Sequence, residues 1–318
     1  MGLEDTGKSI AQLRKKAGLT QRELADYLGI SDKAVSKWER GLSFPDISCL
    51  EMLSTLLDTD TDSLLAGAPA HSRKWTGVLL LDDDSLGGVP GIDTVIYDKP
   101  MIFYLLSYFM LAGISSMHVI CSDNDRDVIS AKIGVPERLG ISLDFSVGKN
   151  FRRPDGNIML VAGRRLLYGR GLTRCFKLAM TRRNQFTLLS LMKKNDDDSK
   201  RIDFDITMKV SRIGFRHHKR KTAAHYYIPF LFIPEGMRGF KFPVSVRDFT
   251  QSISDMAMKK QLCTEVLDRG FLEFGLDSWE AVSDASNFVR LAQNMSGMSV
   301  CSLEEIAWRR GFIPENRA

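Results

Sequence analysis

The chain has 318 residues, 44% of them hydrophobic, which suggests two domains with substantial cores and excludes a disordered class. The net charge of +5 is uneven: residues 1–70 carry 8 Lys and Arg against 11 Asp and Glu, and the remaining 248 carry 36 against 28. Five scattered cysteines (Cys49, Cys121, Cys175, Cys263 and Cys301), with no CxxC and no Cys/His cluster, argue against a disulfide framework and a zinc site.

A first helix is expected over residues 9–17, closed by Gly18. Thr20 and Glu23 then form a T-x-x-E capping box, a helix start in which each side chain satisfies the other end's free N–H. Leu24, Ala25 and Leu28 give this second helix an apolar face, and Gly29 supplies the turn. Ser31 caps a third helix with Ala34, Val35 and Trp38 inward and Gly41 at its end. A fourth is expected over 46–57, with Ile47, Leu50, Leu53 and Leu57 inward, and a short fifth near 62–65.

Two short helices joined by a tight turn within a five-helix bundle resemble the helix-turn-helix of phage-repressor (Cro/CI-type) proteins. The resemblance covers residues 8–66 and rests on Thr20-Gln21, Leu24-Ala25, Gly29-Ile30-Ser31, Val35, Trp38-Glu39 and Gly41. It implies that the third helix, capped by Ser31, enters the major groove of double-stranded DNA. Asp32, Lys33, Ser36 and Lys37 would then read base edges, while Gln21 and Arg40 hold phosphates.

The stretch AGAPAHSRKW has small residues and no periodicity, and reads as a linker over 67–75. Beyond it strands alternate with helices: a buried strand at 76–81, a helix at 100–114 with Pro100 in its first turn, a strand at 117–122 and a polar-faced helix at 125–133. Strands at 141–147 and 157–163 follow. This order implies a mostly parallel sheet. Later strands are expected near 185–192, 202–210 and 225–233, then helices. The last of these opens with a capping box at Ser302 and Glu305 and ends at Gly311. The apolar run at 101–111 is too short to span a bilayer, and no apolar leader precedes the first helix. No membrane partner and a cytoplasmic location are expected.

YDKPMIFYLLSYFMLAGISSMHVICS and WEAVSDASNFVRLAQNMSGMSVCSLEEIAWRRGFI resemble glucose-1-phosphate thymidylyltransferases of the sugar nucleotidyltransferase fold, with similarity over 76–313. The expected architecture is therefore multidomain. An all-α five-helix bundle occupies residues 1–66. An α/β nucleotide-diphospho-sugar-transferase-like domain, Rossmann-like with a mixed and mostly parallel sheet, occupies 76–318.

The same resemblance exposes what the chain lacks. The family's Gly-rich, triphosphate-cradling loop is replaced by Asp82-Asp83-Asp84, and its phosphate-binding lysine falls on Gly91. The Gly-Asp-Asn that supplies a metal-binding aspartate reads Gly163-Arg164-Arg165, and arginine cannot ligate Mg²⁺. The second metal aspartate falls on Gly275, with Asp277 two residues on. A sugar-phosphate lysine falls near His217 or His218. No helix is left between Arg152-Arg153-Pro154-Asp155-Gly156 and the following strand.

No catalytic residue, metal ligand or cofactor is assigned. The expected function is DNA-binding transcription regulation by a homodimer or higher homo-oligomer, with a transferase-like domain that has lost its activity. A sugar phosphate or nucleotide effector would be held as an anion by Arg152, Arg153, Arg164 and Arg165, with Asp82–Asp84 close to the last two. The alternative is an active sugar-1-phosphate nucleotidyltransferase fused to a DNA-binding domain.

Overall fold

A computed structural model describes residues 2–57, 59, 61–66, 75–81, 88–147, 151–182, 184–193, 200–207, 209–214, 223–237 and 240–314.

The first helices are α1 (Leu3–Lys16), α2 (Gln21–Leu28), α3 (Asp32–Glu39), α4 (Ile47–Leu56) and α5 (Thr61–Ala66). The Thr20 capping box closes on both sides, and Gly29 sits at φ +67°, where a Cβ would be strained. Ser31 accepts the Ala34 N–H. Ile10, Leu24, Val35, Trp38, Leu53, Leu56 and Leu64 meet in one buried core. Each such side chain contributes roughly 1.5–3 kcal/mol by leaving water. Helix α1 crosses α3 at Gly7, where an added Cβ would strike the Trp38 carbonyl oxygen. A half-buried polar clamp fixes the turn: Arg14 pairs with Glu39, and the Gln21 amide donates to Glu39 at 2.8 Å. Burial works against the Glu39 charge, but the hydrogen bonds from Arg14 and Gln21 prevail and hold its carboxyl below the usual range.

Two expectations fail here. Helix α1 begins at Leu3, well before residue 9. Ile47 is 87% exposed, because it opens α4 and projects beyond the bundle; Leu56 is buried together with Leu53 and Leu57.

The second part is built on a mixed sheet. Strands β1 (Trp75–Leu80), β4 (Ser116–Cys121), β5 (Ser142–Val147) and β6 (Asn157–Ala162) are parallel, in the order β6-β1-β4-β5. Strand β11 (Ala224–Ile233) adds antiparallel to β6, β8 (Phe186–Lys193) antiparallel to β11, and β12 (Leu262–Leu267) parallel to β8. The expected single strand at 202–210 is a hairpin of β9 (Arg201–Phe204) and β10 (Val210–Ile213). A small ribbon, β2 (Val95–Ile96) and β3 (Lys99–Pro100), leads into α6 (Met101–Ala112), so Pro100 precedes the helix rather than opening it.

Alternate residues of the central strands face opposite ways, as the pleat requires. Leu79, Met159 and Val161 feed a core with α6 on one side. Val78, Leu80, Ile158 and Leu160 feed the other, which is closed by α9 (Val246–Met258). Helix α6 lies directly on β1 at Gly77, where a Cβ would come within 2.6 Å of the Phe109 ring. Helix α7 (Asp123–Ile133) follows β4, capped by Ser122.

The pair β7 (Arg165–Tyr168) and β13 (Leu272–Gly275) stands apart from the main sheet. Helix α8 (Leu172–Thr181) follows β7, and α10 (Trp279–Ser296) and α11 (Leu303–Arg309) end the described chain. The helical bundle rests on α8: α4 packs beside it, and the Arg174 guanidinium lies over the Tyr27 ring at 5.5 Å. Among the described residues no helix is long and apolar enough to cross a membrane.

Candidate functional sites

The outer face of α3 is formed by what its core face leaves over. Val35 and Trp38 turn inward, so Asp32, Lys33 and Lys37 are exposed and Ser36 is half-buried between them. Asp32 accepts the Lys33 N–H at 2.8 Å, at the positive end of the helix dipole. Arg40 is exposed just past the helix, its Nε donating to the Ser36 carbonyl at 3.2 Å. The Ser31 hydroxyl is engaged with Ala34, and the Gln21 amide donates to Glu39. Four of the seven residues, Asp32, Lys33, Lys37 and Arg40, therefore offer exposed polar or charged groups beside one another in sequence.

The second place is the end of β6. Gly163 turns the chain at φ +77°. Arg164 follows with 4% exposure, and its carbonyl accepts the Leu276 N–H at 2.9 Å. Arg165 opens β7 directly across from Gly275 in β13. The Tyr108 hydroxyl pins this start, donating to the Arg165 carbonyl at 3.2 Å and accepting the Leu167 N–H at 2.7 Å.

The Arg165 guanidinium lies 3.1 Å from Asp277 and 3.7 Å from Glu273. Lys193 meets the other Glu273 oxygen at 2.7 Å. Burial opposes the Glu273 charge, yet the Lys193 and Arg165 charges hold its carboxyl below the ordinary value. Lys200 belongs to the same group: burial, then the Arg165 charge, push its amine down to about 8. A carboxylate–guanidinium cluster stands at this strand end, with Glu273 and Asp277 as its acids rather than the expected Asp82–Asp84. Asp82–Asp84 lie outside the described residues, as do His217 and His218. Glu273, Lys193 and Lys200 were missed from sequence; they come from β13, β8 and the residue ahead of β9, and only tertiary structure joins them.

Val246 of α9 faces Gly163, and Phe151, Phe240 and Phe242 pack together against the α9 core. Arg153 is committed here, with Nη1 donating to the Met237 carbonyl at 3.3 Å and its guanidinium 5.1 Å above the Phe240 ring. Arg152 is exposed. No helix occurs among the described residues 151–156, so the chain passes directly into β6. No group of three or more His, Cys, Asp and Glu side chains is gathered as metal ligands among the described residues.

A third site was not foreseen. A cavity of about 390 Å³ opens between α6, the start of α8 and the segment joining α10 to α11. Tyr108, Leu111, Tyr168, Thr173, Cys301 and Arg309 are among its walls. None of the four arginines expected to hold an anion lines it.

The comparisons follow this division. Residues 10–64 match the helix-turn-helix family HTH_3. The chain is 33% identical over 101 residues to an SPbeta prophage-derived uncharacterized HTH-type transcriptional regulator, YonR, of Bacillus subtilis, covering 31% of this chain and 92% of that protein. It is also 26% identical over 244 residues to a glucose-1-phosphate thymidylyltransferase of Neisseria meningitidis, covering 70% of this chain and 83% of the relative. The fold is similar to that of a UDP-glucose pyrophosphorylase crystal structure, with a TM-score of 0.52 at 12% identity over 70% of this chain and 99% of the other. The chain thus belongs, through its N-terminal segment, to the HTH-type family, and the rest of it matches the glucose-1-phosphate thymidylyltransferase-like nucleotidyltransferase domain in sequence and in fold.

Proposed function

We propose that this chain is a cytoplasmic transcription regulator whose nucleotidyltransferase-like domain transfers nothing. That domain serves instead for self-association and for sensing a sugar phosphate or nucleotide. We divide it into a DNA-binding unit at 1–66, a linker at 67–75 and the transferase-like unit at 76–318.

The observation that carries the loss of activity is the Arg165–Gly275 pair. By the family resemblance Gly275 falls on one metal aspartate and Arg165 on the asparagine that follows the other, whose own place is taken by Arg164; Arg165 and Gly275 are adjacent across β7 and β13. Nucleotidyl transfer depends on a hard cation held by oxygen ligands, which neutralises phosphate charge. Here a guanidinium and a hydrogen stand in that place, and Asp277 is tied to the guanidinium.

DNA reading is assigned to Asp32, Lys33, Ser36 and Lys37, with Ser31 capping their helix and Gln21 and Arg40 at the phosphates. Helix-turn-helix units bind paired half-sites as dimers, which gives the larger domain an assembly role. Arg153 and Arg165 have intramolecular partners, so the effector reading rests on the cavity beside α8, α10 and α11 rather than on the strand-end arginines.

Two assays test this. Selection of bound sequences from genomic DNA, followed by footprinting, should give paired half-sites; no DNA bound at low salt removes the regulator reading. Purified protein given dTTP or UTP, glucose-1-phosphate and Mg²⁺ should release no pyrophosphate. The competing reading, an active transferase fused to a DNA-binding unit, has the shared fold in its favour. Pyrophosphate release abolished by substitutions around Arg165 would establish it.

A further inference from the structure

The cavity and the DNA-binding unit share a wall. Thr173, in the first turn of α8, and Arg309, at the end of α11, both line the cavity. The next residue along each helix turns to the bundle. Arg174 places its guanidinium over the Tyr27 ring of α2. Arg310 donates to the Thr173 hydroxyl at 2.8 Å, bridging α11 to α8, and its charge also acts on Tyr27. The Arg309 carbonyl sits beneath Gly18, in the turn between α1 and α2. At the far end of α8, residues Thr181, Arg182 and Gln185 form a groove with Ser48, Glu51 and Met52 of α4.

Helix α8 is thus a spine that touches the bundle at both ends and forms a cavity wall with its first turn. The hold on Tyr27 consists of the Arg174 cation–π contact and the charge of Arg310, which its hydrogen bond to Thr173 keeps in place, interactions weak enough to exchange between two arrangements. The exposed face of α3 takes no part in this contact. Any coupling therefore changes how the bundle is oriented and leaves its reading face uncovered.

We propose that the cavity is coupled to the DNA-binding unit through Tyr27. An occupant wedged between the first turn of α8 and the end of α11 lengthens the Thr173–Arg310 link. That loosens Arg174 and Arg310 from Tyr27 and releases the α2 end of the bundle from the larger domain, while α4 stays beside α8. The two sites and the two states, docked and released, are what an allosteric account requires. This rests on reading the chain as an effector-sensing regulator, but its test needs neither DNA nor effector.

Leu111→Trp, on the α6 wall, places an indole in the cavity whatever the natural ligand is. Met298→Trp does the same from the α10–α11 segment and serves if the first variant folds poorly. Hydrogen exchange on the full chain should show the amides of α2 exchanging about tenfold faster in the filled variant, with the core strands β1 and β6 unchanged. Tyr27→Ala should produce the same acceleration, and adding the cavity substitution to it should produce no more. Unchanged exchange in α2 with a blue-shifted, buried indole overturns the proposal, and so does an effect that simply adds to that of Tyr27→Ala. Failure to find DNA or nucleotide binding would remove the regulator reading and leave this exchange result standing.

Discussion

Arg165 lies directly across from Gly275, and its guanidinium occupies the volume that any side chain at 275 would enter. The two positions are complementary: a large cation on β7 is accommodated because β13 offers only a hydrogen. Its charge is then answered from two residues to either side of Gly275, by Glu273 and Asp277.

Arg165→Ala should therefore destabilise the larger domain by about 1–3 kcal/mol, because a nearly buried Glu273 loses one of its cations while keeping Lys193. Urea denaturation checks the magnitude. The pair Arg164→Asp with Gly275→Asp should still release no pyrophosphate, since two carboxylates do not rebuild the phosphate-binding loop. Measurable activity in that double variant would show that the remainder of the site had survived.

On α3, Lys33→Ala and Lys37→Ala should each weaken DNA binding by about 1–3 kcal/mol and relax preference at one base position. Arg40→Ala should weaken binding evenly across sequences and reduce the salt slope by about one. Titrations at several salt concentrations separate the two behaviours. Full-strength binding by the Lys33/Lys37 double variant would remove α3 as the reading helix.

Much of this was legible where local chemistry fixes structure. The Thr20–Glu23 box, the Ser31 cap and Gly29 announce the helix-turn-helix, and all three behave as read. Ile47 was misread because periodicity cannot tell a core position from a first-turn residue that overhangs the bundle. The break in 202–210 had a signal that was overlooked: Asp205 accepts the N–H groups of Thr207 and Lys209, the side-chain turn that splits β9 from β10. The Glu273–Lys193–Lys200 group had no such signal. Nothing local to β8, β13 or the start of β9 foretells that they converge on Arg165.

The Glu39 clamp should show in acid. Its carboxyl is held below the ordinary value by Arg14 and Gln21 despite burial. A depressed carboxylate contributes stability that is present above its unfolded value, near 4.5, and is lost as the pH falls through its folded value. The helical bundle should thus weaken below about pH 4.5, and Glu39→Gln should lower stability at neutral pH and flatten that acid limb. An unchanged limb in circular dichroism melts would show that Glu39 contributes no such term.

Lys200 makes the opposite prediction at alkaline pH. Burial and the Arg165 charge push its amine down to about 8, more than the nearby Glu273 and Asp277 restore, while an unfolded chain would give about 10.5. Between those values the unfolded chain binds more protons than the folded one, so this group makes the fold more stable as pH rises. Below about 8 the amine is charged in both states and its burial penalty is present in full. Removing that charge should therefore help at neutral pH, provided Arg165 and Lys193 still answer Glu273. Lys200→Met is expected to raise the melting temperature at pH 7 and to abolish the upward slope between pH 8 and 10.5. Melts across that range, on the wild-type chain and the variant, provide the check. A parallel slope in both would mean that Lys200 titrates as an ordinary surface lysine and that the positive side of the cluster is Arg165 and Lys193 alone.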